Sequence, residues 1–156
     1  MAEMEEIFFS STFGGETLSL AASIATIDKM RREPVIETLW RTGKKLAEAV
    51  RGLISAHNLE SQFSLQGFAP WMLVTTHDGP GASGQAIKTM LIYELAARGV
   101  LSLGSHNISY AHTEEDMAHT AGAYDGAFGV IRAALDSGDF EKKLKVPPLV
   151  PVFAVR

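Results

Sequence analysis

Apolar residues recur along this chain in two rhythms, one helical and one extended. From Glu16 to about Arg32, Leu20, Ile24 and Ile27 return at helical spacing. Glu16 stands in the first turn, where an acid suits the positive helix end. Pro34 marks a second start, because proline is favoured at the first helical position. The helix after it is the most regular element. Leu39, Leu46, Val50 and Leu53 form one stripe, Gly43 fills the missing position, and Lys44, Lys45, Glu48 and Arg51 lie mostly elsewhere. Its end is expected at His57-Asn58, since asparagine tolerates the left-handed cap conformation. A third helix is expected over residues 83–98, with Ile87, Leu91 and Leu95 as its stripe and Gly99 as its stop. A fourth starts at Thr113, which caps the acidic turn Glu114-Glu115-Asp116. It carries Met117, Ala121, Tyr124, Phe128, Ile131 and Leu135 and stops at Ser137-Gly138, before a short piece over residues 140–144.

The extended rhythm begins with residues 7–13, which lead into Gly14-Gly15. Residues 61–68 alternate through Phe63 and Leu65 to Gly67-Phe68, and residues 71–76 form a second strand after the tight Ala69-Pro70 connection. His77-Asp78-Gly79-Pro80-Gly81 reads as loop. Residues 100–103 and 108–111 are expected as short strands around a polar loop, Gly104-Ser105-His106-Asn107. Residues 150–155 are expected to be extended after Val146-Pro147-Pro148. The order is helix, helix, strand, strand, helix, strand, strand, helix, which is not a repeating βαβ pattern. It predicts an α+β fold: a small antiparallel sheet covered by helices on one face.

Composition narrows the function. The chain has 156 residues, enough for one domain with a sizeable core, and 46% hydrophobic and 21% charged residues, ordinary for a globular protein. Fourteen basic against 18 acidic residues give a formal charge of -4, so no clustered cationic surface points to nucleic acid. Lys142, Lys143 and Lys145 read as a solvated face near a helix end. No apolar run approaches the roughly 20 residues of a membrane span, and no signal peptide is visible at the acidic start, so a cytoplasmic protein is expected. With no cysteine, thiolate nucleophiles and cysteine-based zinc sites are excluded.

Candidate chemistry is sparse. The histidines, at positions 57, 77, 106, 112 and 119, carry no H-E-x-x-H spacing and read as surface or loop groups. Ser105, His106 and Asn107 lack the G-x-S-x-G elbow of a serine nucleophile. Ser10-Ser11-Thr12 before Gly14-Gly15 places hydroxyls beside free amides at a helix start. That is a credible phosphate cradle; the plain alternative is that the hydroxyls merely cap the helix.

The stretch Phe8-Phe9-Ser10-Ser11-Thr12-Phe13-Gly14-Gly15-Glu16-Thr17-Leu18-Ser19-Leu20-Ala21-Ala22 resembles class III pyridoxal-phosphate-dependent aminotransferases, most of all the branch with glutamate-1-semialdehyde aminomutase. The run Arg98-Gly99-Val100-Leu101-Ser102-Leu103-Gly104-Ser105-His106-Asn107-Ile108-Ser109-Tyr110-Ala111-His112-Thr113-Glu114-Glu115-Asp116 resembles the carboxy-terminal domain of the same branch. The resemblance implies a fold type I enzyme whose small, carboxy-terminal domain spans residues 1–156, led by a dimer-interface segment. It implies an active site at a homodimer interface and an amino acid, keto acid or semialdehyde substrate. Thr12 would reach the phosphate of pyridoxal 5'-phosphate in the neighbouring subunit, Ser11 would add its backbone amide, and residues 105–107 would lie at the substrate mouth. The family's Schiff-base lysine and its pyridine-pairing aspartate belong to a large domain that these residues do not match. The chain is therefore expected to be incomplete as a catalyst alone. The competing expectation is a freestanding, non-enzymatic domain that dimerises through Leu18, Leu20, Ile24 and Ile27 or binds a partner.

Overall fold

The structure, a computed structural model, describes residues 15–150. It divides into two compact units, Met1–Glu37 and Thr38–Arg156. In the first, α1 (Thr17–Arg32) is capped by the Glu16 carboxylate, which accepts from the amides of Leu18 at 2.8 Å and Ser19 at 2.6 Å. The Ser19 side chain, followed by those two amides, holds the Glu16 carboxyl below the usual carboxylate range. The helix buries none of its residues, and Leu20, Ile24 and Ile27 all face out.

The second unit holds nearly all of α2 (Val35–Ala56), then β1 (Phe63–Phe68), β2 (Trp71–Thr76), α3 (Gly84–Ala97), β3 (Ser105–Asn107), α4 (Glu114–Asp136) and the short α5 (Phe140–Lys143). The α+β expectation holds: one antiparallel sheet in the order β1-β2-β3, with helices packed on one face. The extended segments expected over residues 7–13 and beyond Val150 lie outside the described residues.

Local chemistry sets the helix ends where the sequence places them. Ser83 caps α3 through the Ala86 amide at 3.2 Å. Thr113 and Asp116 form a reciprocal capping box at the start of α4. Asn58, just past α2, takes φ 53°, the left-handed conformation expected of it.

The strands after α3 differ from expectation. Residues 100–103 and 108–111 are not strands, and the supposed polar loop between them is β3. The reason is register. Met72 pairs with His106, Leu73 with Ser105 and Trp71 with Asn107, and flanking bonds run from Val74 N–H to the Gly104 carbonyl and from Ile108 N–H to the Pro70 carbonyl. The ladder is therefore centred on His106, a residue whose polarity hides the alternation.

The core lies between sheet and helices. Leu46, Val50 and Ile54 of α2, Ile87, Leu91 and Leu95 of α3, and Tyr124, Phe128 and Ile131 of α4 meet Phe63 and Val74 from the sheet. Phe128 is at its middle, with ring centroids 5.0 Å from Phe63 and 5.5 Å from Tyr124. The other sheet face is open. Met72 and Val74 are buried, while Trp71 is 58% and Leu73 41% exposed, and Phe68 beside them is 68% exposed.

Gly43 explains how α2 approaches the sheet. A Cβ there would overlap the Ala69 carbonyl oxygen and stand 3.0 Å from the Pro70 nitrogen, so helix backbone and β1–β2 turn touch directly. Gly52, nine positions along the same helix, has nothing within 4 Å of an added Cβ. The two glycines should respond oppositely to alanine. Gly43→Ala is expected to lower unfolding free energy by ~1–3 kcal/mol, as overpacking against backbone does. Gly52→Ala is expected to raise it by ~0.5–1 kcal/mol through lost chain entropy in the unfolded state. Urea denaturation of both variants checks this, and equal effects would contradict the close approach.

Candidate functional site

Two cavities flank β3, and Ser105 lines both. The larger, about 590 Å³, lies between the end of β2, the start of α3 and the Gly104 turn. Its polar groups include Thr75, Asp78, Ser83, Lys88 and Ser105. Asp78 is tied to the Gly84 amide at 2.8 Å, and the Ser83 hydroxyl takes the Ala86 amide, so two amides at the helix start are already occupied. Lys88 of α3 is half-buried here with its Cε close to Gly104. The Lys88 ammonium and the surrounding hydroxyls suit a carboxylate-bearing molecule.

The smaller cavity, about 360 Å³, lies between residues 99–102, β3 and the first half of α4. His106 and Tyr124 form part of its wall, with His106 Nε2 2.8 Å from the Tyr124 hydroxyl. The histidines were expected at the surface or in loops; His106 instead is buried on a strand, 7% exposed. Its partner comes from α4, so only the tertiary packing reveals it. Burial holds the imidazole at a pKa of about 4, against an ordinary 6.5, and pushes the Tyr124 hydroxyl well above its usual range. Both groups are therefore neutral at physiological pH. By contrast, His57 lies near the surface beside Asp125, at 2.7 Å, and His77 near Ser64, at 3.0 Å.

The cofactor residues expected from the sequence, Ser11 and Thr12, lie outside the described residues. The loop expected at a substrate mouth, residues 105–107, is β3 and does border both cavities. Among the described residues no cluster of three metal-ligating side chains exists, and no helix is long and apolar enough to cross a membrane. The cavity beside Lys88 does not offer the groups of a pyridoxal-phosphate site. Lys88 shares its cavity with only one carboxylate, Asp78, which is committed to a backbone amide. No aromatic side chain lines that cavity to stack on a pyridine ring.

Comparison with known proteins supplies the frame for these parts. No family model matches the chain. It is 25% identical over 134 residues to a 3-aminobutyryl-CoA aminotransferase of Cloacimonas acidaminovorans, covering 84% of this chain and 32% of that protein. It is 27% identical over 128 residues to a glutamate-1-semialdehyde 2,1-aminomutase of Methanococcoides burtonii, covering 76% of this chain and 30% of the relative. Among solved structures, the internal-aldimine form of the FumI protein of Sphingopyxis sp. MTA144 matches with a TM-score of 0.71 at 26% identity, over 85% of this chain and 31% of that one. The chain is similar to one part of the pyridoxal-phosphate transaminases. A second transaminase structure, with the cofactor bound, has a TM-score of 0.73 at 20% identity, over 84% of this chain and 31% of its own. The transaminase-like chain thus spans about a third of the length of the relatives it matches, and the fold agrees with the motif resemblance seen in the sequence.

His106 gives a pH test of this packing. The folded state keeps the imidazole neutral down to about pH 4, whereas the unfolded chain titrates near 6.5. Above 6.5 the group contributes nothing to pH dependence. As pH falls from 6.5 to 4 the unfolded chain takes up a proton that the folded one refuses, so stability drops by on the order of 3 kcal/mol. Denaturation curves across this range are expected to steepen for the native chain relative to His106→Gln. Parallel pH profiles would show that His106 is not held neutral.

Proposed function

We propose that this chain acts as the small, carboxy-terminal domain of a pyridoxal-phosphate-dependent aminotransferase or aminomutase. The observation that carries the reading is the match over 84–85% of this chain to only 31% of two transaminase chains. In this reading the large domain supplies the Schiff-base lysine and the acid that pairs with the pyridine nitrogen, and the reaction moves an amino group to a keto acid or along a semialdehyde. Thr12, with the Ser11 amide, contacts the cofactor phosphate of a neighbouring subunit. The open sheet face, with Phe68, Trp71 and Leu73 exposed, is the surface the large domain covers. The cavity beside β3, with Lys88 and Ser105, sits at the substrate mouth and favours a carboxylate.

The second reading, a freestanding dimerisation domain, is favoured by α1, which buries none of its residues and exposes Leu18, Leu20, Ile24 and Ile27. Two measurements on the 156-residue chain separate these readings. After incubation with pyridoxal 5'-phosphate and dialysis, the chain is expected to keep no imine absorbance band. A band that survives dialysis and is fixed by borohydride onto one lysine would show a self-sufficient catalyst and overturn the proposal. Sedimentation is expected to show self-association through α1, reduced by Ile24→Asp with Ile27→Asp. A strict monomer would remove the dimerisation reading.

A further inference from the structure

The larger cavity holds a cation with no opposite charge beside it. Among its lining residues only Lys88 and Asp78 are titratable. Asp78 is engaged elsewhere, one carboxylate oxygen accepting from the Gly84 amide at 2.8 Å. The ring of the neighbouring His77 is bonded to Ser64 at 3.0 Å. Lys88 has neither hydrogen bond nor ion pair with any described residue. Its stem lies against the Gly104 turn, where an added Cβ would stand 3.4 Å from Lys88 Cε and 3.9 Å from Nζ. That turn is itself fixed. Its carbonyl accepts from Val74 N–H at 2.8 Å, and its amide donates to the Ser102 hydroxyl at 3.1 Å. The ammonium is thus placed at the cavity wall on a half-buried side chain, with three donors and no acceptor. A charge drawn partly out of water is normally paired.

We propose that this cavity binds the carboxylate of a small aliphatic acid, with Lys88 as the anchoring cation. Side chains carry the recognition, because the Gly84 and Ala86 amides at the start of α3 are already taken. The Ser83 hydroxyl accepts from the Ala86 amide and keeps its own proton to donate. Leu73 and Leu103 line the same cavity with exposed apolar side chains, which suit an aliphatic body. The Asp78 carboxylate on the same wall repels a second negative charge, so one carboxylate is favoured over a phosphate dianion. About 590 Å³ lies within the size range of small-ligand sites. The inference deepens the transaminase reading and rests on it only in taking the bound acid for a substrate. Binding itself is a property of the 156-residue chain.

Butyrate, its neutral counterpart butanamide, and inorganic phosphate are the probes. The 156-residue chain is labelled with ¹⁵N-lysine and titrated with each, following the side-chain Nζ signals by long-range proton–nitrogen correlation. Butyrate is expected to move the Lys88 signal saturably and to bind at least about tenfold more tightly than butanamide, the worth of one charge-assisted hydrogen bond. Lys88→Met, which keeps the stem and removes the charge, should bind the two alike; if that variant does not fold, the comparison on the native chain decides. Phosphate should bind more weakly than butyrate, and Asp78→Asn should narrow that gap. Equal affinities for butyrate and butanamide, a Lys88 signal that butyrate leaves in place, or tighter binding of phosphate by the native chain would overturn the proposal. Butyrate held by Lys88 in a chain that also keeps an imine band after dialysis would preserve this site and remove the partial-domain reading. No butyrate binding in a chain that keeps no band would do the reverse.

Discussion

The architecture depends on burying one face of a three-stranded sheet while leaving the other uncovered. β2 is the central strand, and its alternation divides the molecule. Met72 and Val74 point into the helix-covered core, while Trp71 and Leu73 point away. Two contacts keep that alternation in phase. The Gly43 backbone against Ala69 sets the height of α2 over the β1–β2 turn, and the His106–Tyr124 hydrogen bond ties the edge strand to α4. Because side chains alternate strictly along a strand, a slip of one residue would turn Met72 and Val74 outward and place Trp71 and Leu73 in the core. The aromatic cluster of Phe63, Tyr124 and Phe128 has no room for that exchange.

Most of this was legible in the sequence where the controlling physics is local. Thr113 with Asp116, Ser83 and Asn58 mark helix ends through bonds and backbone conformations spanning a few residues, and each lies where the pattern puts it. Residues 71–76 read as a strand because β2 alternates cleanly between core and surface. The pattern failed where the decisive partner is far away in sequence. His106 looks like a loop residue until Tyr124, 18 positions later, offers its hydroxyl. The short strands expected on either side of it were drawn by Val100-Leu101 and Ile108; Val100 and Ile108 instead pack against the core, while Leu101 is exposed. Lys88 likewise follows Ile87 in a helix and gives no sign that its stem will lie against the Gly104 turn.

Function was legible through resemblance rather than through assembled chemistry. The described residues hold several cavities, a neutral buried histidine–tyrosine pair and one half-buried lysine. The chain covers 31% of each of the two transaminase chains it matches. Apolar residues are left exposed both on the sheet, at Trp71 and Leu73, and on α1, at Leu18, Leu20, Ile24 and Ile27.

A chimera tests this account most directly. The chain replaces the matched third of the Cloacimonas acidaminovorans aminotransferase, and the bound-cofactor imine band is measured together with stability. The account predicts a folded chimera that retains the band, with Trp71→Ser and Leu73→Ser together loosening the cofactor. A chimera that folds cooperatively yet binds no cofactor, or that is indifferent to those two substitutions, would contradict it.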